Sequence, residues 1–138
     1  MNIKNEEAML KAGKELVAQL KPGMLIFLIG DLGAGKTTFV RGVLNGMGHM
    51  GSVKSPTYNL VEEYNVDNRQ VFHFDLYRLR DSEELEYMGI RDYLNEQSIC
   101  FVEWPNKGAG LLPKPDLQVE ITINGCEREL LLSSNMKV

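Results

Sequence analysis

At 138 residues, 43% of them hydrophobic, the chain has the length of one domain and enough apolar content for a real core. Its formal net charge of −4, without any lysine or arginine block, argues against tight, direct binding of nucleic acid by this chain alone, so a role in nucleic-acid chemistry calls for a partner that holds the substrate. The longest apolar run, Met24–Ile29, is too short to span a bilayer, the N-terminus lacks the pattern of a signal peptide, and Cys100 and Cys126 make no disulfide framework or metal cluster, so a cytoplasmic protein is expected.

Taken in chain order, residues 5–20 read as a helix: Ala8, Met9, Ala12, Leu16, Val17 and Leu20 approximate one apolar stripe. Asn5 is a candidate N-cap with Glu6 and Glu7 in the first turn, and Lys21-Pro22-Gly23 ends the segment. Residues 24–29 form an unbroken apolar strand, as expected for a strand buried on both faces. Gly30-Asp-Leu-Gly-Ala-Gly-Lys-Thr-Thr38 follows, and a helical segment then carries Phe39, Val40, Val43, Leu44 and Met47.

Gly30, Gly35, Lys36 and Thr37 stand in the fixed places of G-x-x-x-x-G-K-[ST], the phosphate-binding loop between a strand and a helix. Glycines let the backbone wrap around phosphate oxygens in conformations a side chain would forbid. Successive N–H groups then form an anion nest, reinforced by the positive end of the following helix. Lys36 can place a charge on the terminal phosphates, and Thr37 can offer its hydroxyl to Mg²⁺.

Residues 46–57 are rich in glycine, serine and proline and read as a long loop, of the kind that is often functional, with His49 an exposed loop histidine. Residues 58–66 and 70–77 read as antiparallel strands about a turn at 67–69. In the second, Phe72, Phe74 and Leu76 share one face, and His73, Asp75 and Tyr77 the other. Asp81-Ser82 precedes a helix from about 83 to 95, which Gly89 can split. Residues 98–104 form a short buried strand, 105–115 a loop, and 116–123 with 126–132 a hairpin about Asn124-Gly125. The expected fold is an α/β phosphate-loop sheet with flanking helices and a C-terminal antiparallel hairpin, with residues 133–138 frayed.

A phosphate loop needs a carboxylate from a second strand to hold or orient Mg²⁺. Glu103 follows the apolar run Ile99-Cys-Phe-Val102, and Asp75 follows Val71-Phe-His-Phe74. Both sit near C-terminal strand ends, where open α/β sheets bind ligands. The competing readings are a solvent-facing strand end for Glu103 and a salt bridge to Arg78 or Arg80 for Asp75. His73 could orient Asp75 or be an ordinary strand histidine, and Trp104 is a candidate for the site edge.

In order and spacing, five segments resemble the TsaE family (also called YjeE) over nearly the whole chain: Gly30–Thr38, Ser55-Pro-Thr-Tyr58, His73-Phe-Asp-Leu-Tyr-Arg-Leu79, Glu83-Glu-Leu-Glu86 with Gly89-Ile90, and Val102-Glu-Trp-Pro105. The resemblance implies a small ATPase needed to make N6-threonylcarbamoyladenosine at tRNA position 37, in tRNAs reading codons that begin with A. It implies TsaD and TsaB as partners, with TsaD performing the transfer from threonylcarbamoyl-AMP and TsaE hydrolysing ATP within the assembly. Carried over by motif, Gly33, Ala34, Gly35, Lys36, Thr37 and Thr38 wrap the phosphates, Thr37 and Glu103 hold Mg²⁺, Asp75 is a further functional carboxylate, and Glu7 lies near the nucleotide. Ser55-Pro56-Thr57 resembles a switch loop, with Thr57 sensing the γ-phosphate.

Three rivals stand beside this reading. A GTPase would carry Asn-Lys-x-Asp, but Asn106-Lys107-Gly108 is followed by Ala109. A small-molecule kinase would need an acceptor pocket and a basic lid, and Arg78, Arg80 and Arg91 are scattered. An ATP-dependent binding module would bind nucleotide without hydrolysing it.

Overall fold

The computed structural model describes residues 1–56 and 59–134. Seven strands form one mixed sheet: β1 (Asn2–Ile3), β2 (Leu25–Ile29), β3 (Val61–Val66), β4 (Arg69–Asp75), β5 (Ser98–Glu103), β6 (Leu117–Asn124) and β7 (Glu127–Ser134). Their spatial order is β1-β7-β6-β2-β5-β4-β3. The helices are α1 (Glu6–Leu16), α2 (Lys36–Met47), α3 (Glu83–Tyr87) and α4 (Ile90–Tyr93), with 3-10 turns at Val17–Gln19 and Pro105–Gly108. The parallel core is β6-β2-β5-β4, and antiparallel partners close it on both sides. β2 is central, which is why its sequence is apolar without alternation.

Strand parity sorts the core into two layers. Ile99 and Phe101 of β5, with Ile26 and Leu28 of β2 and Val71 of β4, pack beneath α1 and α2. Cys100 and Val102, with Leu25, Phe72 and Phe74, pack against Leu85 of α3 and Ile90 of α4. His73, Asp75 and Glu103 take the first parity, so the strand ends deliver them to the side on which α2 begins.

The two large helices meet at small residues. A methyl on Gly13 would strike the Phe39 carbonyl oxygen and come within 2.8 Å of the Val43 nitrogen, and one on Gly42 would strike the Leu10 carbonyl oxygen. Phe39, Val40, Val43 and Leu44 are essentially fully buried by this packing, which fixes the start of α2 over the sheet.

Several boundaries differ from the sequence reading. Asn5 does cap α1, accepting from the Ala8 amide at 2.9 Å, but the α-helix ends at Leu16 and the chain tightens into the Val17–Gln19 turn. β1 was not anticipated: two residues show no periodicity, and only the antiparallel pairing of Asn2 with Glu129 and of Ile3 with Arg128 makes them a strand. β3 begins at Val61 rather than 58, while Thr57 and Tyr58 lie outside the described residues. β4 stops at Asp75 rather than 77, because the Asp75 side chain accepts the Tyr77 amide at 3.0 Å and turns the chain. Gly89, at φ +77°, separates α3 from α4. Asp67 and Asn68 both have positive φ, as a tight two-residue hairpin turn requires. The C-terminal hairpin turns at Gly125-Cys126, one residue later than expected, and its strand runs through Ser134.

Candidate functional site

The loop after β2 has the backbone its glycines permit. Gly33 and Gly35 have φ of +78° and +109°, and Gly35 caps the start of α2. Gly30 has no room for a side chain: a Cβ there would lie 2.6 Å from the Ile121 carbonyl oxygen of β6. The loop is thus pressed against the sheet, and its amides lead into a twelve-residue helix whose N-terminus is open.

Lys36 is 4% exposed. Its ammonium donates to the Gly30 carbonyl at 2.5 Å, lies 3.8 Å from Glu103 Oε1, and sits 4.2 Å from the centre of the Trp104 ring. Burial lowers its pKa, and the carboxylates of Glu103, Asp75 and Asp31 only partly offset that. Trp104 holds its ring there from a left-handed backbone, φ +56°, and its indole nitrogen is buried with no partner among the described residues. The sequence reading of Trp104 as a site-edge residue fits this placement.

Glu103 and Asp75 are adjacent register partners on the parallel strands β5 and β4, and both are buried. Glu103 Oε2 lies 2.6 Å from His73 Nε2. His73 therefore holds Glu103, not Asp75: on one strand its side chain and that of Asp75 point the same way but sit two residues apart, whereas Glu103 reaches across from the neighbouring strand. Asp75 binds its own turn through the Tyr77 amide.

A cavity of about 300 Å³ gathers Gly33, Gly35, Lys36, Thr37, Thr38, Ser55, Asp75 and Glu103. α2 runs through Met47, so the loop expected from 46 starts at Gly48; Ser55 brings it to this cavity, while Thr57 lies outside the described residues. The loop is anchored through Tyr64, whose hydroxyl accepts from the Lys54 amide at 3.1 Å and whose ring meets His49 edge-on at 5.2 Å. His49 is accordingly half-buried rather than fully exposed.

A second cavity, about 210 Å³, flanks the loop beside Gly33, Ala34, Thr38, Asn5, Glu6 and Arg128. Glu7 lies elsewhere, in a cavity with Lys11, Lys14 and Asn45 on the outer side of the helix pair. Neighbouring residues on a helix point about 100° apart, so Glu6 faces the loop and Glu7 does not. Glu6 also pairs with Arg41 of α2. A larger cavity of about 510 Å³ lies on the far flank, beside Gly30, Asp31, Trp104 and Glu120. Its lining has carboxylates and no lysine or arginine, so it suits a polyphosphate less well than the smaller cavity with Lys36.

Arg128, in β7, is a residue the sequence reading passed over. Its guanidinium donates to the carbonyls of Ala34 at 3.2 Å and Gly33 at 3.3 Å, and to Glu127 at 2.9 Å. These bonds partner two loop carbonyls and tie β7 to the loop. A lone arginine in a hairpin gives no sequence signal for this, because the contact spans 94 residues.

The residues suit magnesium only as a metal shared with phosphate. Thr37, Asp75 and Glu103 offer hard oxygen donors, and no group of three or more His, Cys, Asp or Glu side chains among the described residues could hold a metal by itself. Magnesium commonly takes one or two carboxylates together with substrate phosphates, which this arrangement permits.

The family model described as "Threonylcarbamoyl adenosine biosynthesis protein TsaE" matches residues 3–130. The chain belongs to the TsaE family. Among TsaE relatives, the tRNA threonylcarbamoyladenosine biosynthesis protein of Haemophilus influenzae is 52% identical, over 97% of this chain and 89% of its own length. That of Bacillus subtilis is 39% identical over 94% of this chain and 82% of its own. The crystal structure of Bacillus subtilis YdiB superposes with a TM-score of 0.82 at 32% identity, covering 97% of this chain and 83% of that one. The α/β sheet with its phosphate loop and C-terminal hairpin is therefore a TsaE fold. No helix among the described residues is long and apolar enough to cross a membrane.

Proposed function

We propose that this chain binds and hydrolyses ATP as the cytoplasmic component that supports formation of N6-threonylcarbamoyladenosine at tRNA position 37, working with TsaD and TsaB. The family and the names of its relatives support the pathway. The observation that carries the ATPase reading is the convergence of Lys36, Thr37, Asp75 and Glu103 on one cavity against the open start of α2.

In this reading the amides of residues 33–38 grip the β- and γ-phosphates and Lys36 leaves Gly30 to neutralise them. The cavity beside Thr38 and Arg128 takes the nucleoside end. Thr37 and Glu103 would hold Mg²⁺, which when bound supplies charge neutralisation on the phosphates. Asp75, buried beside Glu103, or Glu103 itself would orient the attacking water in this reading.

Arg128 is committed to loop carbonyls, and no arginine among the described residues lines the cavity of Lys36. Turnover by the chain alone is then slow, and partners accelerate it. The net charge of −4 fits the same division of labour, with tRNA held by the assembly rather than by this subunit. The loop after α2, which reaches the cavity through Ser55, couples the nucleotide to partner docking, with Thr57 as sensor.

The test is phosphate release by the purified chain, alone and with TsaB, TsaD and tRNA. Slow release that rises in the full assembly supports the proposal. Tight nucleotide binding with no phosphate release, even in the assembly, would leave a binding module instead.

A further inference from the structure

His73 is completely buried, on β4 between β3 and β5. Its Nε2 lies 2.6 Å from Glu103 Oε2, while Nδ1 is buried with no partner among the described residues. Leaving a buried polar atom unmet costs on the order of 1–3 kcal/mol. An apolar side chain, such as its neighbours Phe72 and Phe74 carry, would fill the space without that cost. Packing therefore does not account for a histidine here, and its one bond does.

Glu103 is held at both oxygens, Oε2 by His73 and Oε1 by the Lys36 ammonium at 3.8 Å. The two holds differ in kind. Lys36 lines the cavity at the end of a four-carbon stem and is the group that nucleotide phosphates would draw away. The imidazole is fixed within the sheet. When Lys36 departs, Oε1 becomes free and Oε2 stays tethered.

We propose that His73 is a positioning residue that fixes the Glu103 carboxylate so that Oε1 is the oxygen presented to the metal of a bound Mg–ATP. The inference rests on the reading of Glu103 as a metal ligand and adds the group that orients it. Partners of metal ligands commonly contribute about 10- to 100-fold to metal affinity. Without His73 the carboxylate loses the tether on Oε2 and is free to rotate, which withdraws Oε1 from the metal.

The experiment measures binding of a fluorescent ATP analogue to His73→Leu, His73→Gln and His73→Asn, first in EDTA and then across a Mg²⁺ titration, with Tm recorded for each. Gln places an amide nitrogen the same number of bonds from Cβ as Nε2, whereas Asn reaches only the position of Nδ1. In wild type, Mg²⁺ tightens the analogue. In His73→Leu and His73→Asn the Mg²⁺ midpoint rises by about 10-fold or more, metal-free affinity stays within about twofold, and His73→Gln recovers most of the loss. The two polar variants burden the fold alike, so a difference between them reports the bond to Glu103. An unchanged Mg²⁺ midpoint in all variants, or equal losses in Gln and Asn, overturns the role of His73 while leaving Mg–ATP binding in place. Absence of any Mg²⁺ effect in wild type overturns the metal reading itself, and this inference with it.

Discussion

Lys36 Nζ lies 2.5 Å from the carbonyl oxygen of Gly30, the first residue of its own loop. The cation proposed to meet a phosphate is bonded to the backbone of the loop proposed to hold it. In the proposed reading nucleotide displaces this bond and trades a hydrogen bond for a charge pair. Lys36→Ala should abolish ATP turnover and tRNA modification while circular dichroism shows the same fold; normal turnover would remove the lysine from the mechanism.

The burial of Lys36 also fixes a sign. Its folded pKa is lowered, chiefly by desolvation, so the folded chain holds this proton less tightly than the unfolded chain, where the ordinary value is 10.5. The buried ammonium thus costs stability below its folded pKa, and the cost is relieved as pH rises towards the ordinary value. The Tm of Lys36→Met relative to wild type should fall as pH is raised from neutral into this range. A constant difference would mean the lysine is not held in a desolvated site.

Arg128 is predicted to work through the loop. Its bonds to Ala34 and Gly33 are partly exposed, which limits their worth. Arg128→Met should weaken nucleotide binding roughly tenfold, about 1.4 kcal/mol, with little change in Tm. Unaltered affinity, measured by calorimetry, would reduce Arg128 to a surface contact.

The α1–α2 crossing predicts two intolerant glycines. Gly13→Ala and Gly42→Ala each force a methyl into backbone atoms of the opposite helix. Each should destabilise by about 1–3 kcal/mol or more in denaturant unfolding, as overpacked contacts do. Losses under about 0.5 kcal/mol would show that the helices separate easily.

The two cysteines should react differently. Burial pushes the Cys100 thiol up to about 12, and it is enclosed in the core. Cys126 is exposed and lines the cavity beside Gly33 and Arg128. A thiol reagent at pH 8 should label one cysteine per native chain and two in denaturant, with ATP slowing the native reaction. Rapid labelling of Cys100, or no protection of Cys126, would contradict the core placement or the nucleoside cavity respectively.

Local patterns carried much of this into the sequence. Gly30, Gly35, Lys36 and Thr37 specify backbone conformation and charge within nine residues, and β2 announces a central strand by its unbroken apolarity. The apolar run Ile99-Cys-Phe-Val102 places Glu103 at a C-terminal strand end, where open α/β sheets bind ligands, and Asp75 follows from the same rule. What stayed hidden depends on register between distant strands. His73 meets Glu103 across 30 residues, and nothing in β4 alone distinguishes that partner from Asp75. Arg128 reaches Ala34 only because β7 pairs with β6, which lies beside β2. Glu6 and Glu7 share one chemistry, and only the helix's rotation about its axis separates them.

The most direct test is a crystal structure with a non-hydrolysable ATP analogue and Mg²⁺. Phosphates should lie on the amides of residues 33–38, with Lys36 withdrawn from Gly30 and a metal shared by Thr37, Glu103 and phosphate oxygen. A triphosphate bound elsewhere, or a metal that Glu103 does not touch, would contradict this reading.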